Sequence, residues 1–207
     1  MGRPQLHNAK TAEALLCAAE AIVAAGGPEA LSVRRAAQEA GTTTRPVYTL
    51  FESKEGLLVA LGSHAFEMLG ALVTGLPRTD DPGLDLVNVM VKVFRGWALD
   101  HPALFRIGYG DRIPPELEDR FRPTRLRAGA HFAELVGRAL DLEGGLDNPE
   151  VHEATLKLNA MCEGLARLEL RGALRAGRAE QIWREGLTEL VDGMMRQRRV
   201  DSEYPQS

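Results

Sequence analysis

The chain has 207 residues, a formal net charge of −4 and an apolar fraction of 44%. That length can bury a real core and holds one large domain or two small ones. The mild acidity argues against a broad basic field for nucleic acid, the opening MGRPQLHNAK carries no secretory core, and no run approaches the roughly 20 apolar residues of a bilayer span.

Gly2 is followed by Leu6, where myristoylation requires Ser or Thr. Cys17 and Cys162 are solitary and read as free, buried thiols of a reducing cytosol. Residues 1–10 read as a short flexible arm carrying Arg3, His7 and Lys10. Thr11 is placed to cap a helix running to about residue 25. Its apolar face is Ala12, Leu15, Leu16, Ala19, Ile22 and Val23, at helical spacing. Gly26, Gly27 and Pro28 end it.

Ser32 is a good N-cap for a helix over 33–40, with Val33, Ala36, Ala37 and Ala40 apolar. Gly41 stops that helix in a left-handed C′ conformation. Thr43 then caps a short helix over 44–50, with Pro46 in its first turn and the Arg45 N–H as the bond donor to the cap. Val47, Leu50 and the following Phe51 turn inward, and Thr44, Arg45, Tyr48 and Thr49 turn outward. Two short helices joined by a tight glycine turn form a helix-turn-helix, the unit that seats its second helix in the DNA major groove. Spacing alone leaves two readings open, a DNA reader or a helical corner with a solvated face. Residues 1–64 hold six basic side chains (Arg3, Lys10, Arg34, Arg35, Arg45, Lys54) and six acidic ones (Glu13, Glu20, Glu29, Glu39, Glu52, Glu55). A DNA reader so nearly neutral depends on a few well-placed cations.

Ser53 caps a fourth helix over 54–74, with Leu57, Leu58, Leu61, Ala65, Met68, Leu69 and Leu72 as its stripe. Lys54 lies in the first turn, where the helix dipole disfavours a cation. It either pairs with Glu52 or Glu55 or lies beside a phosphate held at the same helix end. The polar, Pro-flanked stretch 77–82 is the candidate boundary. Beyond it, helical patterns cover about 84–99, 102–109, 115–141 (including Phe121), 149–170 and 179–199. The reading is all-α with about nine helices. The expected division is a helix-turn-helix domain over 1–55 and a larger helical body over 56–207, with the helix at 54–74 as connector. A polar tail from about 201 is expected to be disordered. The segments at about 149–172 and 179–199 repeat apolar residues in steps of three and four, which suits a helix pair on a homodimer interface.

No phosphate loop, HExxH or nucleophile motif occurs, and His64 with Glu67 has no second such pair to complete a helical di-metal site. No enzyme, cofactor or metal is expected. Met90, Phe94, Trp97, Phe105, Tyr109, Phe132 and Met161 are candidates to line an apolar ligand cavity between helices, with His131, Asn159, Glu163 or Arg167 as polar contacts. The competing reading is that these side chains are ordinary core.

The stretch LSVRRAAQEAGTTTRPVYTLFESKEGLL, with its stop at Gly41, its Thr42-Thr43 pair, its Tyr48 to Phe51 spacing and its Ser53-Lys54-Glu55 helix start, resembles the N-terminal domain of the TetR family of bacterial transcriptional regulators. The resemblance implies an all-helical, cytoplasmic homodimer that binds double-stranded DNA and answers to a small-molecule effector. By position it implies that Thr43, Thr44, Arg45, Tyr48 and Thr49 face DNA. Ser32, Tyr48 and Lys54 would hold phosphates, and Arg45 would read a base. Pro46 stands where the family often has a small polar residue, which removes one base contact or makes it apolar. The second half resembles the subgroup with a WHG domain, through Trp97 to Pro102 and Leu165 to Gly172, but Glu163-Gly164 replaces the subgroup's His-Gly. A repressor released from a palindromic operator is the function this implies. The alternatives are a helical interaction protein without specific DNA binding and, less in keeping with the absent catalytic motifs, a helical enzyme.

Overall fold

The computed structural model describes residues 3–109, 115–175 and 177–203, without the side chains of 3–7, 115–118 and 121. The described residues form nine helices and no strand. They are α1 (Arg3–Gly26), α2 (Val33–Glu39), α3 (Thr44–Phe51) and α4 (Lys54–Thr74). Then come α5 over 82–100, α6 (Pro102–Gly108), α7 (Pro115–Leu140), α8 (Pro149–Leu170) and α9 (Ala179–Glu203). Helix α5 is continuous but not uniform: Pro82–Asn88 is α-helical, Val89–Phe94 is a π turn and Arg95–Asp100 is α-helical again. The residues divide into two compact units, 1–66 with 101–125 and 67–100 with 126–207.

In the first unit, Leu15, Ala19, Ile22 and Val23 of α1 meet a core that includes Leu31, Ala36, Ala37, Val47, Leu57 and Leu61, all at most 3% exposed. Of the predicted α1 stripe these four are buried, Ala12 and Leu16 are half-buried, and Ala18, outside the predicted stripe, is buried with them. The helix itself starts earlier than expected. Residues 3–10 are helical rather than a flexible arm, and Thr11 lies within the helix instead of capping it. Pro4 fits a first turn, and no glycine or later proline interrupts the run before Gly26. The side chains of Arg3 and His7 lie outside the described ones. Cys17 is exposed, contrary to the expectation of a buried thiol, because its helical phase puts it away from Leu15 and Ala19. In the same unit His101 Nδ1 lies 2.9 Å from Glu20 Oε1, tying the start of α6 to α1. Phe66, Phe105 and Tyr109 form a ring cluster, with Phe105 and Tyr109 stacked at 5.4 Å.

The second unit is built on α5, whose Leu86, Val87, Met90, Phe94 and Trp97 are all buried. Helices α8 and α9 pair as a hairpin. Glu169 Oε2 accepts from Trp183 Nε1 at 2.9 Å, and the Met161 Cε would lie 2.5 Å from a Cβ on Gly186. Arg95 of α5 grips both Glu169 oxygens, at 3.0 and 2.8 Å. A buried Trp needs a partner for its N–H, and a half-buried carboxylate needs donors; this triad satisfies both. Cys162 is buried here, and burial pushes its thiol pKa up. Helix α9 continues to Glu203, so 201–203 are helical rather than a disordered tail. Local bonds from Gln197 to Asp201 and from Ser202 to the Arg199 carbonyl extend it. Residues 204–207 lie outside the described ones.

The 21-residue helix α4 has an 18-residue window long and apolar enough to cross a membrane, contrary to the sequence expectation. Half of that window is buried inside the protein, which is how a core helix passes the same test.

The strap before α5 is pinned by Asp85, which is 7% exposed. Its carboxylate accepts from the Thr79 N–H and hydroxyl, both at 2.8 Å, and from Arg138 Nη1 at 2.7 Å. Arg138 also donates to the Thr79 carbonyl. Burial acts to raise the Asp85 pKa, but the Thr79 and Arg138 hydrogen bonds outweigh it and hold the carboxyl below its usual value. A depressed carboxylate stabilises the fold above its unfolded pKa of about 3.9, and that stability is lost as pH falls through the lower folded value. Asp85→Asn is therefore expected to cost about 1.5–3 kcal/mol at neutral pH. The cost should shrink in acid below about pH 4, as read by denaturant melts across pH.

Candidate nucleic-acid interface

Helix α2 ends in a motif that fixes the following turn. Gly41 has φ 64°, the Thr42 N–H reaches the Ala37 carbonyl at 2.8 Å, and the Gly41 N–H reaches that of Gln38 at 3.1 Å. Both orphan carbonyls are thereby satisfied, and the left-handed residue is the glycine that the sequence reading requires. At the other end of α2, the Ser32 hydroxyl accepts the Arg35 N–H at 3.2 Å. Thr43 stands at the N-cap of α3 in an extended conformation, but its hydroxyl makes no cap bond. That corrects the expected bond from Arg45. A cap oxygen normally takes the N–H of the second or third helical residue, and Pro46 removes the third.

The face of α3 is sorted as its spacing predicts. Val47 is fully buried. Thr43, Thr44, Arg45 and Thr49 are exposed, and Tyr48 is 57% exposed, unusual for so large a ring. The Thr49 hydroxyl is already engaged, donating to the Arg45 carbonyl at 3.0 Å. Leu50, Phe51 and Pro46 are half-buried.

The junction from α3 to α4 carries features the sequence reading missed. Glu52 has φ 66°, a conformation that non-glycine residues rarely adopt, and its N–H bonds the Tyr48 carbonyl at 3.1 Å. The Ser53 hydroxyl caps α4 through the Gly56 N–H at 3.0 Å, as expected. A Cβ on Gly56 would lie 1.8 Å from the Phe51 carbonyl oxygen, so only glycine fits there. The signal was a glycine in the first turn of a capped helix, where propensity alone gives no reason for one.

Lys54 is half-buried at that helix start and has no ion pair among the described residues. Glu52 instead approaches Arg120 at 3.8 Å, with both side chains largely exposed. Glu55 is held below its usual pKa, chiefly by backbone hydrogen bonding and by the Ser53 hydroxyl, with Lys54 a minor contributor. Ser32, Tyr48 and Lys54, the three expected phosphate contacts, all belong to the first unit with Arg45.

The expected effector contacts are divided between the two units. Phe105 and Tyr109 belong to the first unit and the others to the second. Met90, Phe94 and Trp97 are buried, and Phe94 meets the rings of Trp97 and Trp183, each at 6.3 Å. Phe132, Asn159 and Met161 are half-buried. Glu163 is paired with Arg167 at 2.5 Å along α8. His131 is exposed and lines a cleft of about 180 Å³ in the second unit. Among the described residues no group of three or more His, Cys, Asp or Glu is placed to hold a metal.

Residues 15–61 match the family described as bacterial regulatory proteins, tetR family, and residues 87–191 match the tetracyclin repressor-like C-terminal domain. The chain belongs to the TetR family. It is a DNA-binding transcriptional regulator by that membership, with its helix-turn-helix inside the first match. No curated protein matches the sequence significantly. Among solved structures, a protein of unknown function from a Rhodococcus species is 20% identical with a TM-score of 0.73, covering 88% of this chain and 94% of that one. The regulator PfmR from Thermus thermophilus is 22% identical with a TM-score of 0.63, covering 86% and 97%. A TetR variant from Acinetobacter baumannii in complex with minocycline is 20% identical with a TM-score of 0.61, covering 89% and 96%. At these identities the likeness is one of fold.

Because a Cβ at residue 56 must displace the Phe51 carbonyl, Gly56→Ala is expected to destabilise the protein by more than about 2 kcal/mol, measured by thermal or denaturant melting. Glu52→Gly, which relieves the positive φ, is expected to stabilise it by up to about 1 kcal/mol.

Proposed function

We propose that the chain is a ligand-responsive repressor that binds a near-palindromic operator as a homodimer. The observation that carries this reading is the sorted surface of α3. Thr44, Arg45, Tyr48 and Thr49 lie open on an eight-residue helix whose Val47 is fully buried. Arg45 reads a base, since Arg against guanine is the commonest specific contact. Thr43, Thr44 and Thr49 contact bases or sugar-phosphate beside it. Tyr48, Lys54 and the capped start of α2 at Ser32 hold phosphates, and the lack of an ion pair at Lys54 among the described residues supports that role.

Dimerisation uses the faces of α8 and α9 turned away from the core. Leu156 is 55% exposed and Leu190 and Met194 are half-buried, on helices whose inner faces already bury Leu158, Trp183 and Leu187. Exposed apolar surface on paired helices favours association. Two copies of α3 then meet successive major grooves about 34–36 Å apart. An effector bound among the body helices changes that spacing through α4, whose residues belong to both units. Linkage requires DNA to weaken effector binding by the same factor. The setting is the bacterial cytoplasm.

Footprinting on DNA around the chain's own gene tests the reading: one protected, near-palindromic site supports it, and no preference over random DNA overturns it. Arg45→Ala is expected to cost about 1–3 kcal/mol and to relax preference at one base pair per half-site. Lys54→Ala and Tyr48→Phe should weaken binding to all sequences alike, with Lys54→Ala lowering the salt slope by about one per subunit. Sedimentation at micromolar concentration should give a dimer, and a monomer refutes the interface.

A further inference from the structure

We infer that the cleft between the end of α4, the strap at 76–79, α5 and α7 is a binding site for a small monocarboxylate with an apolar body about the size of one aromatic ring. The effector role of this site rests on the ligand-responsive reading above; the site itself does not. A Cβ on Gly70 would lie 3.7 Å from the Ala128 Cα, so α4 and α7 run close together there, and the cleft lies one turn further along, beside the strap. Its volume is about 180 Å³. A cavity of about 150 Å³ holds a benzene ring. Val73, Leu76, Val89 and Leu135 supply apolar walls.

The charges at the cleft are arranged for an anion. Two carboxylates line it, and both are matched. Asp85 spends its oxygens on Thr79 and Arg138, and Glu134 lies 3.7 Å from Arg78 at the exposed rim. Lys92 is also in the lining, with no ion pair among the described residues, and His131 lies there with it. An apolar wall with one uncommitted ammonium group selects a ligand that is apolar at one end and anionic at the other. The position of Lys92 is a consequence of the fold. It lies in the π turn at Val89–Phe94, a rare element that recurs at functional sites. Lys92 and Val89 stay with the cleft, while Arg95, just past the turn, serves Glu169. The Asp85 network holds the strap in place before any ligand arrives, so the site is preformed.

Calorimetry on the full chain tests this with benzoate, phenylacetate and hexanoate, each beside its primary amide. The acids are expected to bind at least about fivefold more tightly than the amides, and Lys92→Gln should bring them down to the amide level. Leu135→Trp, which fills the cleft, should abolish binding of both. No binding by any acid, acids no tighter than amides, or acid binding unchanged in Lys92→Gln overturns the site. Operator binding by the same variants separates the two readings. A Lys92→Gln protein that still holds its operator leaves the head intact, and acid binding without operator release sustains the site while overturning its effector role.

Discussion

The constraint on which the rest depends is the contact between the Phe51 carbonyl and residue 56. There is room for a hydrogen there and for nothing larger. The chain leaves α3 through Glu52 in a positive-φ conformation, caps α4 with Ser53 and passes Gly56 beneath the end of α3. The pose of the recognition helix is thus fixed by backbone contact with α4 as well as by the burial of Val47. Side chains can repack around a small change, but a carbonyl oxygen 1.8 Å from a Cβ cannot.

That rigidity suits a DNA reader with no excess of positive charge. Residues 1–64 carry as many acidic as basic side chains, so orientation must do what a long-range field would otherwise do. Tyr48 is held open on a helix whose inner face is fully buried, and Lys54 starts a helix whose N-terminus favours an anion nearby. The body shows a similar economy. Arg95, Glu169 and Trp183 satisfy one another, as do Thr79, Asp85 and Arg138, while Lys92 at the cleft has no ion pair among the described residues.

Much of this was legible in the residues. Gly41, Ser32 and Ser53 act through bonds no longer than five residues, so their motifs announce them. Most buried positions of α1 and α8 follow from periodicity because each helix offers one apolar face to one core. The misreadings came where a local signal was overruled or absent. Thr11 looked like a cap only because an arm was assumed before it. Thr43 kept the backbone of a cap and lost its bond to the proline three residues on. Cys17 was assigned to the core by residue type when its helical phase placed it outside.

The sequence by itself determined the all-α fold, the helix-turn-helix with its outward Thr44, Arg45, Tyr48 and Thr49, and the family. All of these are written in spacings within one or two helical turns. Only the tertiary structure decided that Gly56 is obligatory and that the aromatic candidates of the body fall into separate units. It alone brought Lys92 and His131, 39 positions apart, to one cleft with the strap at 76–79. Spacing specifies what a helix presents to its neighbours, whereas a cleft is made by the neighbours themselves.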